Sequence, residues 1–218
     1  MTPKENFDRP MLLFRRLLAV VIVLVFAECL MSRLNAAVII GNLPGNDGST
    51  ISFASGATLS IGFLTGSSDV RLESVSFRLN AQNSSVAARL ELRSDQSGSP
   101  ASTVLANLGT HSVASTGIDN YEFNPGTETI LLSSTTYWLT ISTLASSVPL
   151  IVGASDNENA PPAALASYFG LRFFDGASFV NLDGDPVPTF QANGTLISSA
   201  IPEPSSSFFC SSWLDWCR

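Results

Sequence analysis

Apolar and polar residues alternate with a period of two along three stretches of this chain, the pattern of a strand with one buried face. In residues 74–79, Val75, Phe77 and Leu79 fall on one side, with Ser74, Ser76 and Arg78 on the other. In residues 86–93 the inward set is Val86, Ala88, Leu90 and Leu92, and the outward set is Arg89, Glu91 and Arg93. Tyr137, Leu139 and Ile141 form a third face opposite Trp138, Thr140 and Ser142. Weaker patterns predict further strands at 38–40, 51–53, 58–64, 118–123, 149–152, 171–174 and 189–197. Between them sit turn formers: Pro44-Gly45-Asn46-Asp47-Gly48, Ser97-Gly98-Ser99-Pro100, Asn124-Pro125-Gly126, Asp175-Gly176 and Asp183-Gly184-Asp185-Pro186. A helix is predicted only at 160–169, where Pro161 and Pro162 limit it to a turn or two. No internal repeat is visible, which argues against a solenoid or a propeller. The expected fold is all-β: two antiparallel sheets packed as a jelly-roll-like β-sandwich spanning 37–197.

A different pattern opens the chain. Arg15 and Arg16 precede an unbroken apolar run from Leu17 to Ala27, shorter than the roughly 20 residues a membrane-spanning helix needs. A polar stretch then ends in Asn35-Ala36-Ala37. Basic start, apolar middle and small-residue end describe a cleavable signal helix over 1–36, cut after Ala36 or Ala37. Met11 is an alternative start, and an uncleaved N-terminal anchor is the competing reading. Cys29 follows the apolar run, but Glu28 stands before it where a lipoprotein signal needs a small residue.

Charge narrows the partners. Without residues 1–36 the chain keeps six arginines, no lysine and fifteen acidic residues, a net charge of −9. Such a surface repels nucleic acid, whose binding depends on Lys and Arg neutralising phosphates. Residues 37–199 contain no cysteine, so neither disulfides nor a thiolate metal site holds the body together. Its stability rests on its core.

Candidate chemistry is sparse. His111 is the only histidine, in a Ser- and Thr-rich stretch after Asn107-Leu108-Gly109-Thr110, and reads as a solvated loop residue. No Gly-x-Ser-x-Gly turn presents a nucleophile, so no catalytic residue is assigned. A glycosidase would need two carboxylates about 5–10 Å apart across a cleft. Asp156, Glu158, Asp175, Asp183 and Asp185 are the available acids, and all lie in turn-like segments. Residues 155–159 and 181–185 are rich in oxygen ligands but lack the spacing of an EF-hand loop, which leaves calcium open and implies no cofactor. Asn83-Ser84-Ser85 and Asn193-Gly194-Thr195 match the Asn-glycosylation pattern. Trp138 and Tyr168 are the aromatic side chains a carbohydrate platform would use, although Trp138 on an outer face could instead cover a sheet edge.

The end of the chain carries the most specific signal. After Ser198-Ser199-Ala200 comes Ile201-Pro202-Glu203-Pro204-Ser205-Ser206, where two prolines flanking an acid make a stiff extended spacer and mark a boundary. The segment resembles the Pro-Glu-Pro motif of the PEP-CTERM sorting signal, which implies Pro202, Glu203 and Pro204 as the element an exosortase recognises. In that family a transmembrane helix and an Arg-rich end follow. Here Phe208 to Arg218 is too short to span a bilayer, and a frameshift or truncation past the motif is the expectation for residues 198–218. Cys210 and Cys217 would then be accidents of a wrong frame, and a small disulfide-closed tail is the alternative.

The body resembles the choice-of-anchor R domain that often precedes such signals. The resemblance runs through Ile40-Gly41-Asn42-Leu43, Val70 to Val75, Leu90 to Asp95 with its Gly98–Pro100 turn, and Leu132 to Leu139. It implies no enzymatic activity. The expected protein is non-enzymatic and either secreted or held in the cell envelope or extracellular polysaccharide matrix. Its expected partners are the export machinery and an exosortase, with only a transient membrane stage. A carbohydrate-binding module is the first alternative and a glycosidase-type enzyme the second.

Overall fold

The computed structural model describes residues 36–45, 48–144, 147–155, 164–184 and 186–197. Residues 1–35, where the sequence predicts a signal helix, and residues 198–218, with Pro202, Glu203 and Pro204, lie outside the described residues. So do Asp156, Glu158 and Asp185.

Thirteen strands follow one another: β1 (Ala37–Gly41), β2 (Ser49–Phe53), β3 (Thr58–Thr65), β4 (Val70–Ala81), β5 (Val86–Gln96), β6 (Ser99–Val113), β7 (Asp119–Phe123), β8 (Thr129–Leu131), β9 (Thr136–Thr143), β10 (Leu150–Ala154), β11 (Ala166–Phe174), β12 (Phe179–Asn181) and β13 (Phe190–Leu196). They form two antiparallel sheets. The seven-stranded sheet runs β1-β13-β4-β10-β2, with β7 and β8 also paired to β4. The six-stranded sheet runs β12-β11-β3-β9-β5-β6.

The alternating faces predict the core well. Val75, Phe77 and Leu79 of one sheet join Leu90, Leu92, Leu139 and Ile141 of the other in a single buried cluster, because each strand turns every second side chain inward. Phe77 stacks on Phe190 at a centroid separation of 5.7 Å, and Phe63 lies 6.0 Å from Tyr137. The first and last strands are neighbours: Ala37 pairs with Gly194, so β1 begins and β13 ends at the same end of the seven-stranded sheet.

Three expectations change. Of the helical turn expected at 160–169, residues 160–163 lie outside the described residues, and residues 166–169 are the start of β11. Their pairing with β3 supplies ladder hydrogen bonds that a short segment behind two prolines could not replace as a helix. Residues 107–111, read as a loop, belong to β6, and His111 pairs with Ala88. Register shifts along the β5–β6 ladder interrupt the two-residue period, so the core-facing Ala106, Leu108 and Val113 do not form one regular alternating row. The short β8 and β12 carry too few residues to show a period.

Candidate functional site

The outer face of the six-stranded sheet, turned away from the core, is where polar and aromatic chemistry collects. Strand register sets its rows. Asn181, Arg172, Ser60, Thr140, Glu91 and Asn107 are successive cross-strand neighbours over all six strands. The adjacent row holds Gly170, Gly62, Trp138, Arg93 and Val104.

The β5–β6 hairpin folds over this face. Its two-residue turn has Ser97 at φ 53° and Gly98 at φ 80°, the left-handed pair that matches the twist of flanking strands. Arg172 of β11 donates from Nε to the Gly98 carbonyl at 3.1 Å, although β3 and β9 lie between β11 and β5 in the sheet. Trp138 Nε1 donates to Asp95 Oδ1 at 2.8 Å, and the other oxygen of Asp95 accepts the Gly98 N–H at 3.3 Å. One carboxylate thus ties the turn to the indole beneath it.

Trp138 corrects the sequence reading. It does lie on the outer face, but on an interior strand, and it is 0% exposed. A Cβ on Gly62 would stand 2.9 Å from its ring, so only glycine leaves room for the indole there. Phe169 packs edge-on at 5.8 Å, and the Arg172 guanidinium sits 5.6 Å from the ring centroid. The Trp138 ring therefore offers no platform to a ligand. Tyr168 is half-buried, packed against the inter-sheet core, and its hydroxyl pKa is pushed up to about 12, first by burial and then by the negative charge of Asp183.

Beside the buried indole lies a charge cluster that the alternation identified as outward without revealing its burial. The Glu91 side chain is only 8% exposed. Arg93 grips its Oε2 from Nη2 at 2.6 Å and Nε at 3.0 Å, while Arg89 Nε stands 3.1 Å from Oε1. Arg-x-Glu-x-Arg spacing on one strand puts all three charges on the same face. Arg93 Nη1 also reaches the Ala101 carbonyl, and Ser60 and Thr140 share a buried hydroxyl contact of 3.0 Å.

Between the hairpin turn and the β11–β12 hairpin opens a groove of about 660 Å³. Thr58, Thr140 and Phe174 come from the sheet, and Phe179 forms the far wall. Gln96, Ser97, Ser99 and Ser102 supply the near wall, with Arg93 at its base. The rings of Phe174 and Phe179 lie 5.1 Å apart, and Phe179 is 37% exposed.

Of the acids singled out from sequence, the described Asp175 and Asp183 serve the backbone. Asp175 Oδ1 accepts the Ala177 and Ser178 N–H groups at 2.8 and 2.9 Å, and these bonds hold its pKa below the usual carboxylate value. Asp183 Oδ1 accepts the Leu171 N–H at 2.8 Å and Oδ2 pairs with Arg172 at 3.0 Å. Burial alone would raise the Asp183 carboxyl, but Leu171 and Arg172 together bring it below its ordinary value. Asn181 Oδ1 is likewise taken by Arg172 and the Asp183 N–H. Among the described residues no group of three or more His, Cys, Asp or Glu side chains is placed to hold a metal ion.

A pH dependence follows. A carboxyl with a depressed folded-state pKa stabilises the fold above its unfolded value, and that contribution fades as pH falls through the folded value. Asp183→Asn should therefore cost up to about 1 kcal/mol at neutral pH, since the pair is part-exposed. Urea denaturation from about pH 6 down to about pH 2 should show wild type and variant converging.

The remaining candidates are placed as follows. His111 is half-exposed on β6, with Nε2 2.7 Å from the Glu122 carbonyl and its ring edge-on to Phe123 at 4.8 Å. Asn83 is exposed in the β4–β5 turn. Asn193 sits within β13 between β1 and β4, with Nδ2 on Ser74 Oγ and Oδ1 on Gln191, so its amide is committed to the sheet. Ala36 is exposed just before β1, and Ala37 begins that strand.

No protein family matches the chain, and no curated protein matches it.

Proposed function

We propose that this is a non-enzymatic exported protein, a jelly-roll-like sandwich delivered to the cell envelope or extracellular polysaccharide matrix by a PEP-CTERM-type signal. The observation carrying this reading is where the folded body begins and ends. Its first strand starts at Ala37, at the small-residue cleavage position, and its last ends at Leu196, just before the Pro202-Glu203-Pro204 spacer. Because the first described strand begins at Ala37, a chain cut near Ala36 loses no strand, and β13 ends beside the start of β1. The resemblance to choice-of-anchor R domains gives the same order of parts. Asp175 and Asp183, both satisfied by backbone N–H groups, are poor acid–base pairs for hydrolysis, which supports a non-catalytic role.

Expression in a host carrying an exosortase system, followed by fractionation and intact-mass measurement, tests the reading. The expected product is found outside the cytoplasm with its N-terminus near Ala37. Retention in the membrane fraction with Met1 or Met11 intact would overturn it in favour of an N-terminal anchor.

A further inference from the structure

We infer that the groove between the β5–β6 turn and the Phe174–Phe179 pair binds an uncharged saccharide chain. The inference rests on the reading of this body as non-enzymatic, and it moves the aromatic platform from Trp138 and Tyr168 to the two phenylalanines.

Three features point to this ligand. Phe174 and Phe179 place two adjacent rings at the groove wall, and Phe179 is 37% exposed on the edge strand β12. Aromatic faces take up the C–H faces of sugar rings, which are apolar although their rims are hydroxylated. The opposite wall carries the Gln96 amide with the hydroxyls of Ser97, Ser99 and Ser102, small donors and acceptors suited to those rims. Arg93 is the charged residue in the groove's lining, and it is already ion-paired with Glu91 and bonded to the Ala101 carbonyl. An acidic polymer would also meet a body with a net charge of −9, whereas a neutral chain meets no such repulsion. The volume of about 660 Å³ lies within the range of small-ligand sites and is open at the surface, as a polymer segment requires.

The site is also held in shape without ligand. Asp95 and Arg172 fix the turn from below, so little ordering is needed on binding.

The test is calorimetric titration of the purified full chain with neutral hexasaccharides of the cellulose, laminarin, starch and mannan series, and with alginate and galacturonate oligomers. At least one neutral chain should bind, and bind more tightly than either acidic oligomer. Phe174→Ala and Phe179→Ala should each weaken it about five- to tenfold. Gln96→Ala, at an exposed position, should weaken it severalfold while the thermal midpoint stays unchanged, which separates lost contacts from misfolding. No binding of any neutral chain at millimolar concentration overturns the inference, as does preference for the acidic oligomers or indifference to both Phe substitutions. Product analysis of the same mixtures for shortened chains addresses the underlying reading separately: cleavage would overturn the non-enzymatic assignment even where binding is seen.

Discussion

Replacing Trp138 by alanine should destabilise the protein by about 3–5 kcal/mol, although this residue is not part of the inter-sheet core. The indole is fully buried on the outer face, above Gly62, beside Phe169 and under the Arg172 guanidinium. None of these can fill the space. Glycine has no side chain to move, and Arg172 is held by Gly98, Asn181 and Asp183. Removal also leaves Asp95 without its indole donor and loosens the turn that Asp95 organises. Against a typical total stability of about 5–15 kcal/mol, the loss should be obvious in urea denaturation. Trp138→Phe, which keeps a ring but no donor, should cost roughly 1–3 kcal/mol. A change below about 1 kcal/mol for the alanine variant would mean that the indole is not packed as described.

Glu91→Gln should be the next most damaging change, at about 2–3 kcal/mol. The substitution keeps size and one acceptor but leaves two arginines without their shared counter-charge. Removing one partner of a buried ion pair costs more than the pair contributes, because the charge left behind is poorly solvated. Side-chain exposures of 39% for Arg89 and 23% for Arg93 allow partial rehydration, which places the loss at the low end for buried pairs. The double variant Glu91→Leu with Arg93→Met removes most of the buried charge and should be more stable than Glu91→Gln. Equal stability of wild type and Glu91→Gln in urea at low salt would contradict a buried role for this carboxylate.

Strong alternation made the all-β fold legible in sequence. Val75-Phe77-Leu79, Leu90-Leu92 and Tyr137-Leu139-Ile141 all point into the core as their period requires. Where one face of a strand is not clearly apolar the signal faded. Ser102 to Leu105 of β6 are exposed on an edge strand, so nothing in their order separates strand from loop. The candidate site was harder still. Arg89, Glu91 and Arg93 were recognisably outward, but outward is not the same as exposed once a hairpin folds over the sheet. Phe174 and Phe179 lie either side of the Asp175-Gly176 turn, and nothing local distinguishes them from core phenylalanines.

What the sequence determined by itself was local: the period-two faces, the turns at Ser97-Gly98 and Asp175-Gly176, and the acidic balance. These depend on neighbouring residues and on chain chemistry, which are present before any folding. The tertiary structure decided the rest. It buried Trp138 and Glu91 on a nominally outer face, turned Asp183 to the Leu171 N–H, set Ala37 beside Gly194, and opened the groove between two hairpins. Each of these depends on sheet curvature and long-range register, which bring together residues far apart in sequence and leave no periodic mark in it.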